Sequence, residues 1–311
     1  MPDSPRIGCT LPSSGAAADP SMLGALAQTA EAVGFDSVWI SDHVVVPERI
    51  DSAYPYSADG RFPTLPTQPY LEPLTTMGYL AGITRRVRLG VAVLILPYRH
   101  PLLTAKMVST LDNLSGGRID LGIGVGWMRE EFEALGAPPE VYTHRGGASD
   151  EQLRIFNTVW TQDVAGYEGQ FYRFAPVGVH PQPVQKPGPP VWIGGHTRPA
   201  LRRVAHVGDG WLPIVRRSPA DLPPDEFAAC IDTIRAEAQR IGRDLSNLQV
   251  CVSTIIELDT TTPEEVAQLL RSYVAVGAHS FLLGFGRRSP AEYEAGLRRF
   301  AEDFRPALAV V

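Results

Sequence analysis

Cysteine is scarce in this 311-residue chain: Cys9, Cys230 and Cys251 are an odd number, far apart and without CxxC spacing. That argues against a disulfide framework and against a cysteine zinc site, and leaves three ordinary thiols as the expectation. Excess positive charge is missing too. Twenty-eight Lys and Arg are spread along the chain against 34 Asp and Glu, a formal net charge of -6, so the basic footprint of a nucleic-acid binder is absent. No stretch approaches the roughly 18 apolar residues of a membrane span, and the opening MPDSPRIGCT has no basic segment leading into an apolar one. The expectation is a soluble, cytoplasmic protein acting on a small molecule, with neither nucleic acid nor membrane as partner. Familiar signatures are also lacking: there is no GxGxxG after the first strand, no GxSxG, no P-loop and no HExxH, and no paired carboxylates stand at motif spacing. Hydrolysis, phosphoryl transfer and a metal centre are unsupported.

What is present is a rhythm. Short apolar, β-branched runs alternate with longer amphipathic ones, and each strand-like run stops at Gly, Pro, Ser or Asp. Eight strands are predicted, at 6–11, 37–41, 87–96, 118–124, 191–194, 210–214, 248–258 and 279–284. Helices are predicted at 21–33, 71–83, 101–114, 144–160, 197–207, 224–241, 263–276 and 290–302. Thr262-Pro263-Glu264-Glu265 and Ser289-Pro290-Ala291-Glu292 carry helix-start chemistry, a hydroxyl cap, proline at the first helical position and acid in the first turn. Gly34 and Gly277 stand where left-handed helix ends are expected. Eight βα units in about 300 residues predict an α/β protein, a single (β/α)8 TIM barrel over 1–311. Two stretches exceed a minimal barrel: 44–70, rich in Pro, Tyr and Asp, and 161–190, which contains YEGQFYRF. Both are assigned to the catalytic face as loop insertions.

Candidate chemistry lies at the predicted strand ends. VWISDHV ends a strand with Asp42 and His43, a carboxylate and the side chain best suited to proton transfer near neutral pH. In DLGIGVGWMREEF, Gly122, Gly124 and Gly126 lead from strand to helix, and glycine there lets a backbone approach a flat ring or a phosphate. Gly194-Gly195-His196-Thr197 enters a helix near Arg198, a turn whose free amides and dipole suit an anion. Tyr54, Tyr56, Phe62, Tyr70, Trp127 and Trp211 fall in or beside the mouth loops, to line an apolar pocket or to anchor the loops on the rim. One imidazole with glycines for a cofactor fits redox chemistry, in which the cofactor performs the difficult step.

The strings SVWISDHV, RVRLGVAVLILPYRHPLLTAKMVSTLDNLSGGRIDLGIGVGW and PPVWIGGHTRPALRRVAHVGDGWLP resemble, in order and spacing, the luciferase-like monooxygenase superfamily and its branch of coenzyme F420-dependent oxidoreductases. The likeness runs from about residue 6 to 215, and the remaining segment adds a compatible βα pattern. It implies a bacterial luciferase-like barrel, commonly a homodimer, holding a flavin or the 5-deazaflavin F420 over the strand ends. It places a non-prolyl cis peptide against the ring at Ala92-Val93. It matches the family's aspartate-histidine pair to Asp42-His43, with His43 near the reactive C5 as proton donor or acceptor. The glycine turns match Gly124-Val125-Gly126 and Gly194-Gly195-His196, with Gly210 nearby, as holders of the phosphate and ribityl chain, and Arg198 is a candidate for the anionic tail.

Two departures bear on the substrate and the cofactor. Trp127 stands where sugar-phosphate dehydrogenases of the superfamily carry an acid, which disfavours a sugar phosphate. The large insertions of FMN-dependent alkanesulfonate and aminopolycarboxylate monooxygenases do not fit in 311 residues, which favours F420. The expected activity is hydride transfer between F420 and a small organic substrate, by C=C, C=N or C=O reduction or the reverse dehydrogenation. The alternative is an FMN-dependent two-component monooxygenase using O2 and reduced FMN from a separate cofactor reductase. A non-catalytic flavin-binding barrel is a third possibility, from a different class.

Overall fold

The computed structural model describes residues 5–217, 219–286 and 289–308. In chain order its strands are β1 (Arg6–Thr10), β2 (Ser37–Ile40), β3 (Arg88–Ile95), β4 (Ile119–Gly124), β5 (Ala165–Glu168), β6 (Arg173–Val177), β7 (Val191–Gly194), β8 (Gly210–Leu212), β9 (Gln249–Ile255) and β10 (Ser280–Gly284). The helices are α1 (Leu23–Ala32), α2 (Pro73–Ile83), α3 (Pro101–Ser115), α4 (Arg129–Ala134), α5 (Pro139–Thr143), α6 (Arg145–Thr161), α7 (Arg198–Val207), α8 (Pro224–Ile241), α9 (Pro263–Val274), α10 (Pro290–Arg299) and α11 (Arg305–Leu308). Eight strands close a parallel barrel in the order β1-β10-β9-β8-β7-β4-β3-β2, while β5 and β6 form a separate antiparallel pair. All eight barrel strands fall within the predicted runs. The two predicted helix starts are complete capping boxes, Thr262 with Glu265 and Ser289 with Glu292. Gly34 and Gly277 do adopt positive φ, at 89° and 107°.

Strand alternation sorts the side chains. Val38, Ile40, Val91, Ile123, Ile193 and Val252 face outward to the helices and are buried there. Trp39, Trp192, Leu212, Cys251 and Leu282 face inward and pack with Ala92. The two indoles meet edge to face, centroids 6.1 Å apart at 88°. Room for them comes from glycine: a Cβ at Gly90 would lie 2.3 Å from the Trp39 ring, and one at Gly210 would lie 2.1 Å from that of Trp192. Below them, Trp192 Nε1 donates to Asp120 at 3.3 Å, and Arg88 clasps the same carboxylate at 2.7 and 2.9 Å. The foot of the barrel is therefore filled with packed side chains, which leaves the carboxyl ends of the strands as the face open to a ligand.

Three sequence expectations are corrected by this layering. Gly210 is the first residue of β8, paired with Trp192 at the foot, so it serves the steric need of that indole and not a cofactor phosphate at the mouth. Trp211 points out of the barrel, is fully buried, stacks on Phe227 of α8 at 4.8 Å and cannot line a substrate pocket. Segment 161–190 joins α6 to β7, so by connectivity it belongs to the foot and not to the catalytic face. Its hairpin tip nevertheless reaches back along α6, where Glu151 accepts the amides of Gln170 (2.6 Å), Phe171 (3.0 Å) and Tyr172 (3.2 Å). The helix expected after Gly126 is α4, of six residues, whereas α5 was not expected.

Among the described residues no helix is long and apolar enough to cross a membrane, and no group of three His, Cys, Asp or Glu is placed to hold a metal ion. Cys9 and Cys251 are buried and Cys230 is partly exposed. Burial raises the thiol of Cys9 well above its ordinary range, pushes that of Cys251 up to about 12, and raises that of Cys230 to a smaller degree. Only thiolate reacts with disulfide reagents, so at pH 8 Ellman's reagent should titrate one thiol in the native protein and three in denaturant. Fast reaction of more than one native thiol would contradict the packing. Gly210→Ala should cost about 1–3 kcal/mol or more through overpacking, read as a lower denaturant midpoint, with no change in cofactor affinity of the folded protein.

Candidate functional site

Beyond Ile40 the chain leaves β2 through Ser41, Asp42 and His43. Asp42 does not face the mouth. Its carboxylate, with no exposed side-chain surface, accepts the Ile95 amide at 2.8 Å and both guanidinium nitrogens of Arg99, at 2.7 and 2.9 Å. Burial pushes the Asp42 carboxyl upward, opposed by Arg99 and by the Ile95 amide. On Arg99 the desolvation that would lower its pKa is overcome by Asp42, and the net shift is upward. The bidentate geometry is that of a charged pair, carboxylate against guanidinium. Asp42 thus ties the end of β2 to the end of β3, and its expected catalytic role is corrected to a positioning one.

His43 is paired elsewhere. Its Nδ1 lies 2.6 Å from Oε2 of Glu131 on α4, with both side chains buried. Oε1 of Glu131 accepts the amides of Val44 at 2.7 Å and Val45 at 3.3 Å. The neighbouring Glu130 accepts those of Asp51 at 2.9 Å and Ser52 at 3.0 Å, and Ser52 Oγ accepts the Arg129 amide at 3.2 Å. Two successive acids at the start of one short helix hold the first part of loop 44–70 by its backbone. The loop then brings Phe62 to 4.8 Å and Tyr70 to 5.3 Å from the imidazole centroid, and Trp127, from the turn between β4 and α4, lies at 6.1 Å. Tyr54 packs on Trp127, Phe62 and Tyr56 at 5.2, 5.4 and 5.6 Å. The structure brings these predicted substrate residues together beside His43, in contrast to Trp211.

The floor of the mouth follows from alternation, one inward step above the indoles. Thr10, Ser41, Ala92, Gly124, Gly194 and Ser253 occupy that layer and are only partly buried, although their outward neighbours Cys9, Ile40, Val91, Ile123, Ile193 and Val252 are buried. Small, partly exposed inward side chains form this layer, with the Val93 side chain lying against Gly124 and Gly194. Ala92-Val93 is a cis peptide, as the resemblance implied, at the irregularity in the β3–β4 register. Val93 lies between two predicted cofactor glycines: a Cβ on Gly124 would come within 2.4 Å of Cγ2, and one on Gly194 within 2.9 Å of Cγ1. Those glycines therefore have a packing reason of their own. Val125 and Gly126 continue the turn; Gly126 has φ 78°, and a Cβ there would also strike Phe132 at 2.7 Å. Gly195 at φ 84° and the partly exposed His196 form the second turn, and Trp211 Nε1 donates to Gly195 O at 2.8 Å. Arg198 is exposed at the first position of α7. Tyr70 donates to Ser41 Oγ at 2.8 Å, and burial raises the pKa of its phenol.

The residues that sequence reasoning missed are Glu131, Arg99 and Ser41. A usable signal existed for the first, an acid beside buried Phe132 at the start of a helix leaving a glycine turn. A cleft of about 330 Å³, bordered by Arg6, Asp36, Phe281 and Arg305, lies at the foot and holds none of the predicted site residues. Asp42→Asn should cost about 3 kcal/mol, toward the low end for breaking a buried pair because Glu72 stands 3.4 Å from Arg99. Thermal or denaturant unfolding measures this, and a loss below about 1 kcal/mol would show that the pair does not hold the strand ends.

Comparison with known proteins agrees with this fold. An uncharacterised protein of Mycobacterium tuberculosis is 32% identical over 279 residues, 89% of this chain and 92% of the relative. The FMNH2-dependent dimethylsulfone monooxygenase of Pseudomonas putida is 31% identical over 215 residues, 69% of this chain and 56% of that protein. The structure of an F420-dependent secondary alcohol dehydrogenase, solved with an F420-acetone adduct, superposes with a TM-score of 0.76 at 18% identity, covering 98% of this chain and 99% of the other. The family description "luciferase-like monooxygenase" matches residues 4–309, and this chain belongs to that family.

Proposed function

We propose that the protein is a coenzyme F420-dependent oxidoreductase that moves a hydride between the 5-deazaflavin and a small, largely apolar organic substrate. The direction is either reduction of C=C, C=N or C=O or the reverse dehydrogenation. The observation that carries this reading is the juxtaposition of a layer of small, partly exposed side chains with one buried imidazole, His43, beside an aromatic wall. A planar ring suits such a layer, because Ala92, Gly124, Gly194 and Ser253 bring no charge and little bulk and Val93 offers an apolar surface between the two glycines. Ala92-Val93, Gly124-Val125-Gly126 and Gly194-Gly195-His196 would hold the cofactor, with Arg198 near its anionic part. Once bound, the deazaflavin supplies or accepts a hydride at its C5 carbon. His43 gives or takes the matching proton at the other atom of the reacting double bond, the one that does not exchange the hydride. Tyr54, Phe62 and Trp127 exclude water from the reacting atoms and set the apolar side of the pocket.

The F420-dependent dehydrogenase that shares the barrel over 98% of this chain supports the deazaflavin. The dimethylsulfone monooxygenase favours a second reading, an FMN-dependent monooxygenase fed by a separate reductase. A homodimer is part of the proposal, and sedimentation of the purified protein at about twice the 33.8 kDa chain mass is its check. A side-by-side fluorescence titration with F420 and FMN decides between the cofactors. Tight binding of F420 alone is expected, and preference for FMN with oxygen-dependent product formation would overturn it. His43→Ala should lower turnover by about 10²–10⁴-fold while leaving cofactor affinity nearly unchanged. A wild-type rate would remove His43 from the chemistry.

A further inference from the structure

We infer that Glu131 is a positioning residue that sets the tautomer of His43, keeping the proton on Nδ1 and leaving Nε2 as the working nitrogen. The two atoms at issue are 2.6 Å apart, and both side chains are nearly out of solvent, 7% and 1% exposed. The other oxygen of Glu131 already accepts two backbone amides, from Val44 and Val45. A carboxylate so engaged is an acceptor on both sides, so the hydrogen in the short contact belongs to the imidazole. Which ring nitrogen carries the proton is set by the partner of the other one.

No other group near His43 performs this task. The adjacent Asp42 has both oxygens committed to Arg99 and Ile95. Phe62, Tyr70 and Trp127 surround the ring and offer Nδ1 no competing partner of comparable strength. Among the described residues His43 Nε2 has no hydrogen-bond partner. The same carboxylate that orients the ring therefore also fastens Val44 and Val45, so that the start of loop 44–70 and the imidazole are positioned together. The consequence for catalysis rests on the proposed role of His43, whereas the tautomer itself does not.

The test is nitrogen NMR on cofactor-free protein labelled with ¹⁵N-histidine at a pH where His43 is neutral, its signals assigned by their loss in His43→Asn. Wild-type protein should show protonated Nδ1 and an unprotonated, pyridine-type Nε2. Glu131→Gln keeps the shape of the side chain but has a single acceptor oxygen. The Val44 and Val45 amides claim that oxygen, the side-chain NH2 then faces Nδ1, and the proton should move to Nε2. Turnover with the loaded enzyme should fall by about 10²–10⁴-fold, as a wrong imidazole tautomer costs in other His-carboxylate pairs, with cofactor affinity unchanged. A wild-type spectrum with the proton on Nε2, or a Glu131→Gln spectrum identical to wild type, would overturn the assignment. If the tautomer moves as stated while turnover stays at the wild-type rate, the assignment stands and the proton-transfer role of His43 falls.

Discussion

The buried carboxylate of Asp42 is the constraint on which the mouth of this barrel depends. A charge with no exposed surface persists only when its oxygens are fully engaged, and here the engaging groups are the Ile95 amide and the Arg99 guanidinium. That clasp joins the exits of β2 and β3. It also commits both Asp42 oxygens to Ile95 and Arg99, so His43 takes its hydrogen-bonding acid from another element. Glu131 supplies it from 88 positions along the chain, just after β4. Two adjacent residues thereby lock three consecutive strand ends of the barrel, and the cis Ala92-Val93 bulge lies on the strand between them.

The barrel was largely legible in the sequence because its strands are buried on both faces and read as short Val, Ile and Leu runs ended by turn residues. Proline-led helices with hydroxyl caps marked the intervening elements. The parts that escaped notice share a physical cause. Helix α5 has five residues, too short to show a period of its own, and even α4, with six, was marked only by the glycine turn before it. Strands β5 and β6 are mostly exposed, so they lack the apolar run that announced the others, and they are stabilised by Glu151 accepting the amides at their tip.

The candidate site was legible as a place more than as a set of partners. Adjacent Asp42 and His43 suggest a working pair, yet strand alternation turns neighbours in opposite directions, and tertiary geometry chose Arg99 for one and Glu131 for the other. The aromatic residues of loop 44–70 were found because a long, ring-rich loop after a barrel strand has few other uses. Trp211 and Gly210 were misplaced for a reason the sequence already contained. Trp192 and Leu212 lie on the inner face, and counting in twos along β8 from Leu212 puts Gly210 inside at the foot and Trp211 outside.

The way the wall is attached has a consequence for how such a site can change. Glu130 and Glu131 grip loop 44–70 through the amides of Val44, Val45, Asp51 and Ser52. Backbone donors do not depend on which side chains the loop carries. Tyr54 and Phe62 can therefore be exchanged for other residues without loosening the carboxylate that holds His43, so substrate preference and proton handling rest on separable interactions. The floor offers no such freedom: a methyl group at Gly124 or Gly194 would collide with Val93. Variation is confined to the rim because the parts below it pack against one another.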